Sequence, residues 1–121
     1  MEQKLLGILG EKMARTFLSE KDFLIKTTNY RFKKWEIDII AEKENTIIFV
    51  EVKTRQNDYL GEPWRAVTKT KQKQIIRVAH EYLVLNNIEK EARFDIVSII
   101  HDPNIQRNEI EHIEDAFYAM L

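Results

Sequence analysis

The sequence contains no cysteine, which excludes disulfide bonds, thiolate catalysis, cysteine-ligated zinc and iron–sulfur clusters. Glycine and proline are also scarce, at 3 and 2 of the 121 residues, and we find no linker or internal repeat. With 44% apolar and 32% charged residues, the composition predicts a single folded domain over residues 1–121. A reducing compartment, the cytoplasm, is the expected location.

Long apolar runs and a charge bias are missing as well. The longest apolar stretches, 46–52 and 96–100, have the length of strands, and charges interrupt the segment where a signal peptide would be apolar. We therefore expect no membrane association and no secretion. The 19 basic and 20 acidic residues nearly cancel, so a polyanionic partner must be inferred from the distribution of charge.

Hydrophobic periodicity predicts the element order α-β-β-β-α-β-β. Spacings of three and four predict helices over residues 1–20 and 63–86, and the second begins with a proline. Strands are predicted at 23–31, 35–42, 46–53, 93–100 and 109–113, and a helical turn at 115–121. Because the strands are apolar on both faces, we expect a mixed sheet with helices on both sides, a three-layer α/β/α fold.

Charged residues interrupt the two strands 35–42 and 46–53. A turn at residues 44–45 sets a register that places Asp38 opposite Glu51 and Glu36 opposite Lys53, all on one face. Opposed carboxylates repel each other, and a divalent cation would compensate them. Oxygen ligands without neighbouring His or Cys favour Mg²⁺ or Mn²⁺ over zinc.

Two alternatives compete with this metal site. In one, Lys53 pairs with Glu36 while Asp38 and Glu51 reach solvent near the strand ends. In the other, a register slipped by one residue separates the four side chains.

The second helix has a lysine within its apolar stripe. Lys71 lies between Val67 and Ile75, where an ammonium group either extends to solvent or meets an acidic group or a phosphate. The acidic strands are a candidate partner. Another flank of this helix is basic. It is either a solvated helix face or, together with neighbouring cations, a surface that binds nucleic acid. The candidate nucleic-acid-binding residues are Lys71, Lys69, Lys73, Arg55, Lys33 and Lys34.

The first helix is expected to turn an apolar stripe toward the sheet. This stripe contains Leu6, Leu9, Met13 and Phe17. Glu11 projects away from it, and a solvated pair with Arg15 is the simplest interpretation.

Several short blocks occur in a characteristic order along the chain. They are Gly10-Glu11 with Ala14 and Leu18, EIDIIA at 36–41, FVEVKTR at 49–55, Ala66-Val67 with Lys71, RFDIV at 93–97 and Ala116-Phe117. The set spans essentially the whole chain and resembles the YraN family of small bacterial proteins. That family is similar to archaeal Holliday-junction resolvases and, more widely, to PD-(D/E)XK nucleases. The resemblance implies a restriction-endonuclease-like fold.

The resemblance also implies roles for the charged residues. Asp38 and Glu51 match the two metal-binding acids, helped by the Val52 carbonyl, and Lys53 matches the lysine that positions the attacking water. Glu11 resembles a helix-borne acid of the resolvase-like branch, a candidate ligand for a second metal. Lys71 matches a basic residue on the following helix.

The function implied is a Mg²⁺- or Mn²⁺-dependent endonuclease that hydrolyses phosphodiester bonds in structured DNA, with branched or four-way junctions as candidate substrates and DNA favoured over RNA. Junction cleavage would require two sites and therefore a homodimer. The alternative is a catalytically silent nucleic-acid-binding or adaptor protein with the same fold. Trp35 and Ile37 depart from the usual glycine and proline, and Trp35 would either stack on a base or narrow the groove.

Overall fold

In a computed structural model, which describes residues 2–118, two helices cover opposite faces of one five-stranded sheet. The helices are α1 (Gln3–Glu20) and α2 (Lys69–Leu85), and the strands are β1 (Leu24–Phe32), β2 (Trp35–Lys43), β3 (Thr46–Arg55), β4 (Glu91–Asp102) and β5 (Arg107–Phe117). The sheet order is β1-β2-β3-β4-β5, with β3 and β4 parallel and the other pairs antiparallel. The predicted element order and mixed three-layer fold are confirmed.

The two faces of the central strands bury different halves of the core. Phe49 of β3 packs toward α2 with Ile75 and Val78, while Val50 packs toward α1 with Leu18. This alternation follows from the two-residue side-chain period of a strand. It explains why β3 is apolar at four consecutive positions, 47–50.

The orientation of α1 differs from the prediction. The buried residues are Leu6, Gly10, Ala14 and Leu18, whereas Leu9, Met13 and Phe17 are only half-buried. Small residues let the helix approach the sheet closely, since a Cβ atom at Gly10 would overlap the Thr54 hydroxyl. Apolar periodicity alone missed this because Gly10 contributes no hydrophobicity to the stripe.

The second predicted helix is divided. A short 3₁₀ helix (Pro63–Ala66) comes first, and α2 then begins after Thr68, whose side chain accepts the Lys71 N–H at 3.2 Å. No helix in residues 2–118 is sufficiently long and hydrophobic to traverse a bilayer.

The predicted helical turn at 115–121 is wrong for residues 115–117, which belong to β5. Phe117 stacks on Phe94 of β4, with ring centroids 5.2 Å apart, so a tertiary contact overrides local helix preference. The end of this prediction, 119–121, lies outside the described residues.

Candidate active site

The candidate site lies where β2 and β3 separate. The predicted register is confirmed from Lys43–Thr46 to Ile39–Val50, where the pairing ends. Just beyond, the Asp38 side chain enters the gap, and its Oδ2 accepts the Val52 N–H at 2.8 Å. Because the strands separate here, the Asp38 carboxylate takes the place of a backbone partner from β2.

The Asp38 carboxyl group interacts directly with the neighbouring carboxyl group of Glu51. Burial and then the negative charge of Glu51 raise the pKa of Asp38 well above its usual range, against the opposing effects of the Val52 N–H and Lys71. Glu51 is only 4% exposed, and its Oε1 has no hydrogen-bond partner among residues 2–118. Ionisation of both carboxyl groups is therefore unfavourable unless positive charge lies close to them.

Lys71 supplies one compensating charge. Its Nζ lies 3.5 Å from Glu51 Oε2, so this lysine meets the acidic strands rather than extending free into solvent. The side chain stays 35% exposed and can reach a second anion at the surface.

Glu36 does not lie opposite Lys53, and this part of the prediction is wrong. Glu36 pairs across β1 with Arg31, whose Nε lies 3.1 Å from Glu36 Oε2. Because β2 has already left β3 at this point, its first residues are paired to β1 alone. The alternatives are wrong as well: Glu36 does not neutralise Lys53, Glu51 is buried, and the register is not slipped.

Glu11 is half-buried and points toward the same acidic region. Burial raises its pKa, and the charges of Asp38 and Glu36 act in the same direction, while a hydrogen bond from Asn29 opposes them. The Asn29 amide donates to Glu11 Oε1 at 3.0 Å and to Glu36 Oε1 at 3.1 Å. The rotation of α1 thus brings Glu11 to the site, where Arg15 is a minor influence.

Asn29 is the site residue that sequence reasoning missed. It lies inside β1 with a left-handed φ of 50°, a conformation that asparagine tolerates better than most residues. An asparagine within an otherwise β-rich segment was the available signal, but only the folded chain shows which acids it joins.

The predicted basic residues lie in several places. Lys53 and Arg55 line a cleft with Glu11, whereas Lys69 and Lys73 line a separate groove that includes Tyr118. Lys33 and Lys34 form the turn between β1 and β2, with the Lys33 ammonium 5.5 Å from the Phe32 ring centroid. Lys71 lies between Lys69 and Lys73 in the sequence, but its side chain turns toward Glu51 instead of lining their groove.

Comparison with known proteins assigns the chain to a family. The model of the uncharacterised protein family UPF0102 matches residues 10–99, which include Glu11, Asp38, Glu51, Lys53 and Lys71. The chain belongs to UPF0102. This is the YraN family that the motifs resemble.

Similarity to other UPF0102 proteins extends over nearly the full chain. The UPF0102 protein of Chlorobium chlorochromatii (strain CaD3) is 43% identical over 118 residues, covering 94% of this chain and 92% of the relative. That of Bacteroides thetaiotaomicron is 41% identical over 120 residues, covering 99% and 98%. That of Geotalea daltonii is 46% identical over 117 residues, covering 96% and 91%.

The donors in this UPF0102 member fit a hard divalent cation. Residues 2–118 contain no preformed group of three or more Asp, Glu, His or Cys side chains placed as metal ligands. What they do contain is a close carboxylate pair, one of whose buried oxygens lacks a partner, with the Val52 main chain beside it. An all-oxygen donor set with no imidazole or thiolate suits Mg²⁺ or Mn²⁺, which complete their coordination with water or phosphate.

Proposed function

We propose that this UPF0102 member is a divalent-metal-dependent endonuclease that hydrolyses phosphodiester bonds in structured DNA, with branched and four-way-junction DNA as candidate substrates. The observation that carries the proposal is the Asp38–Glu51 pair, in which Glu51 is buried and its Oε1 has no hydrogen-bond partner among the described residues. Two opposed carboxylates weaken a sheet unless a cation is bound, so a purely structural role does not explain them.

Asp38, Glu51 and the Val52 carbonyl are the groups that would hold Mg²⁺ or Mn²⁺, and Glu11 is the candidate for a second ion. When bound, such an ion supplies Lewis-acid activation of water and neutralises phosphate charge. The Val52 N–H keeps the Asp38 carboxylate oriented through its 2.8 Å hydrogen bond. Asn29 orients Glu11 in the same way.

The lysines act on the substrate. Lys53, two residues after Glu51 on the same strand, would orient the attacking water and shield charge that develops on the phosphate. Lys71 would bind an adjacent phosphate through the exposed part of its side chain. Further backbone phosphates would be bound by Arg55, Lys33, Lys34, Lys69 and Lys73.

Cleavage of an end-labelled panel tests the activity. The panel contains a four-way junction, a flap, a duplex, and single-stranded DNA and RNA, each with Mg²⁺ or Mn²⁺. We expect cutting by the wild type and by Glu89→Gln, an exposed acid remote from the site in sequence, but none by Asp38→Asn or Lys53→Met. Cutting of the junction further predicts a homodimer by light scattering, because both strands must be cut. Equal cutting by Asp38→Asn would contradict the proposal.

A catalytically silent nucleic-acid-binding protein is the second candidate. It is favoured by the Lys71–Glu51 contact, which compensates part of the acidic charge without a metal. Here Lys69→Glu with Lys73→Glu would weaken salt-sensitive DNA binding, while Asp38→Asn would leave binding and the cellular role intact. A folded wild type that binds DNA and cuts no member of the panel with either metal would select this function.

A further inference from the structure

A cleft of about 460 Å³ opens beside the carboxylate pair. One wall is the N-terminal half of α1 and the other is the end of β3 with the loop at residues 56–60. Glu11 and Lys53 both line it, so the cleft is continuous with the proposed active site. Its volume is in the range of pockets that hold small organic ligands.

Gly7 keeps the cleft open on the α1 side. A Cβ atom added at Gly7 would meet no heavy atom within 4 Å in the described part of the chain, although Gly7 lines the cleft. Gly10, one turn later, is different, because its Cβ would overlap Thr54. The close packing of α1 against the sheet therefore explains why position 10 is a glycine, but it does not explain the glycine at position 7. At Gly7 the missing side chain leaves free volume in the cleft.

The opposite wall presents an apolar side chain on an anchored loop. Leu60 is fully exposed, at 102%, and lines the cleft. Its loop is anchored by Asp58, which accepts two hydrogen bonds from the Arg107 guanidinium at 3.3 and 3.1 Å. The Tyr59 N–H also donates to Asn57 Oδ1 at 3.2 Å. An exposed apolar side chain beside a polar cleft offers a surface on which the flat face of a nucleobase can be buried.

The polar lining matches the rest of a nucleotide. Lys53 and Arg55 supply cations for a phosphate, and the amides of Gln3, Gln56 and Asn57 supply donors and acceptors for a base edge. A base inside a duplex is stacked on both faces and cannot enter such a cleft without being unpaired.

We propose that this cleft is a subsite for one unpaired nucleotide beside the phosphate that is cut, with the base between Leu60 and the α1 surface at Gly7. The inference rests on the proposed function and narrows its substrate to DNA with unpaired nucleotides at a branch, flap or tail. Fully paired DNA would contact only the phosphate-binding lysines.

Binding measurements test the subsite without relying on turnover. Fluorescence anisotropy in EDTA compares a blunt duplex with the same duplex carrying a single-stranded tail. We expect the wild type to prefer the tailed duplex by about tenfold, the scale expected when part of one base is buried against an apolar surface. Gly7→Leu, which fills the cleft and is favoured in a helix, should abolish the preference, whereas Thr16→Leu on the exposed side of α1 should preserve it.

A second pair of variants tests the other wall. Leu60→Ala should lower the preference several-fold, while Ile105→Ala, an exposed apolar residue in the β4–β5 turn, should not. A preference that survives both Gly7→Leu and Leu60→Ala would overturn the subsite alone, since the wild type would still bind DNA. A wild type that binds no nucleic acid would overturn the proposed function, and the subsite with it.

Discussion

Lys71 of α2 and Glu51 of β3 form an ion pair at 3.5 Å, with the glutamate side chain buried and the lysine side chain 35% exposed. The pair links α2 to β3, and Lys71 is the counter-ion of Glu51 in this structure. A divalent cation would compete with it for the same carboxylate, because both interact with the negative charge on Glu51.

Replacing Lys71 should therefore separate folding from metal binding. We expect Lys71→Met to lower stability in EDTA by about 1–2 kcal/mol, less than for a fully buried pair because the lysine is partly exposed. The same variant should bind Mn²⁺ more tightly, as measured by calorimetry. Lys69→Met is the matched control, and equal Mn²⁺ affinity in wild type and Lys71→Met would show that Lys71 does not compete.

The raised pKa of Asp38 predicts a pH dependence of stability. The folded state binds this proton more tightly than the unfolded state, so without metal the stability contribution of Asp38 decreases as pH rises from near 3.8 through the folded pKa. Asp38→Asn, whose side-chain oxygen can still accept the Val52 N–H, should thus be more stable than the wild type at neutral pH in EDTA. Urea unfolding at several pH values measures this, and a difference that does not grow with pH would contradict it.

Adding Mg²⁺ supplies the control for the Asp38 variant. The cation should stabilise the wild type at neutral pH and have little effect on Asp38→Asn, because only the ionised carboxylate pair attracts it. Equal stabilisation of both proteins would place the metal elsewhere.

Substitution of the two glycines of α1 by alanine should change the stability in opposite directions. Gly10→Ala should destabilise the protein by about 1–3 kcal/mol, since its Cβ overlaps Thr54 and forces α1 away from β3. Gly7→Ala meets open space and should stabilise by about 0.5–1 kcal/mol through helix propensity. Thermal or urea unfolding tests both, and loss of stability in both would show that the contact with Thr54 is not the cause.

Asp95, within the RFDIV block, has a structural explanation. It is fully buried; it accepts two hydrogen bonds from Arg93 and one from the Asp115 N–H, and His112 Nε2 lies 2.7 Å away. With Nδ1 of His112 accepting from the Lys21 ammonium at 2.8 Å, Nε2 carries the proton that is donated to Asp95. The network ties the end of α1 to β4 and β5.

Asp95→Asn should therefore destabilise the fold by about 3–5 kcal/mol, because it leaves buried donors without a charged acceptor. Burial acts to raise the pKa of Asp95, but the hydrogen bonds from His112 and Arg93 outweigh it and lower the pKa. The stability contribution of Asp95 is fully present at pH values above about 3.8. It is lost as the pH falls through the lowered pKa of Asp95 in the folded state. Glu89→Gln is the exposed control, and a cost below about 1 kcal/mol in urea unfolding would contradict a central role for the network.

Several features of this protein were determined by the sequence alone. The turn at residues 44–45 and the alternation of the flanking strands set the register from Lys43–Thr46 to Ile39–Val50, which leaves Asp38 and Glu51 just beyond the last pair. The position of Lys71 in an apolar stripe predicted that it either extends to solvent or meets an acidic group or a phosphate, and its contact with Glu51 is one of these outcomes. Such inferences succeed because strand and helix periods are local properties of the backbone.

Other features were decided only by tertiary structure. The face of α1 depends on the fit of Gly10 against Thr54, which is distant in sequence, and this fit brings Glu11 to the site. Because β2 separates early from β3, Glu36 pairs with Arg31 of β1, and the Asp38 carboxylate accepts a hydrogen bond from the Val52 N–H. Close packing and strand divergence depend on the shapes of contacting surfaces, which hydrophobic periodicity along one segment does not encode.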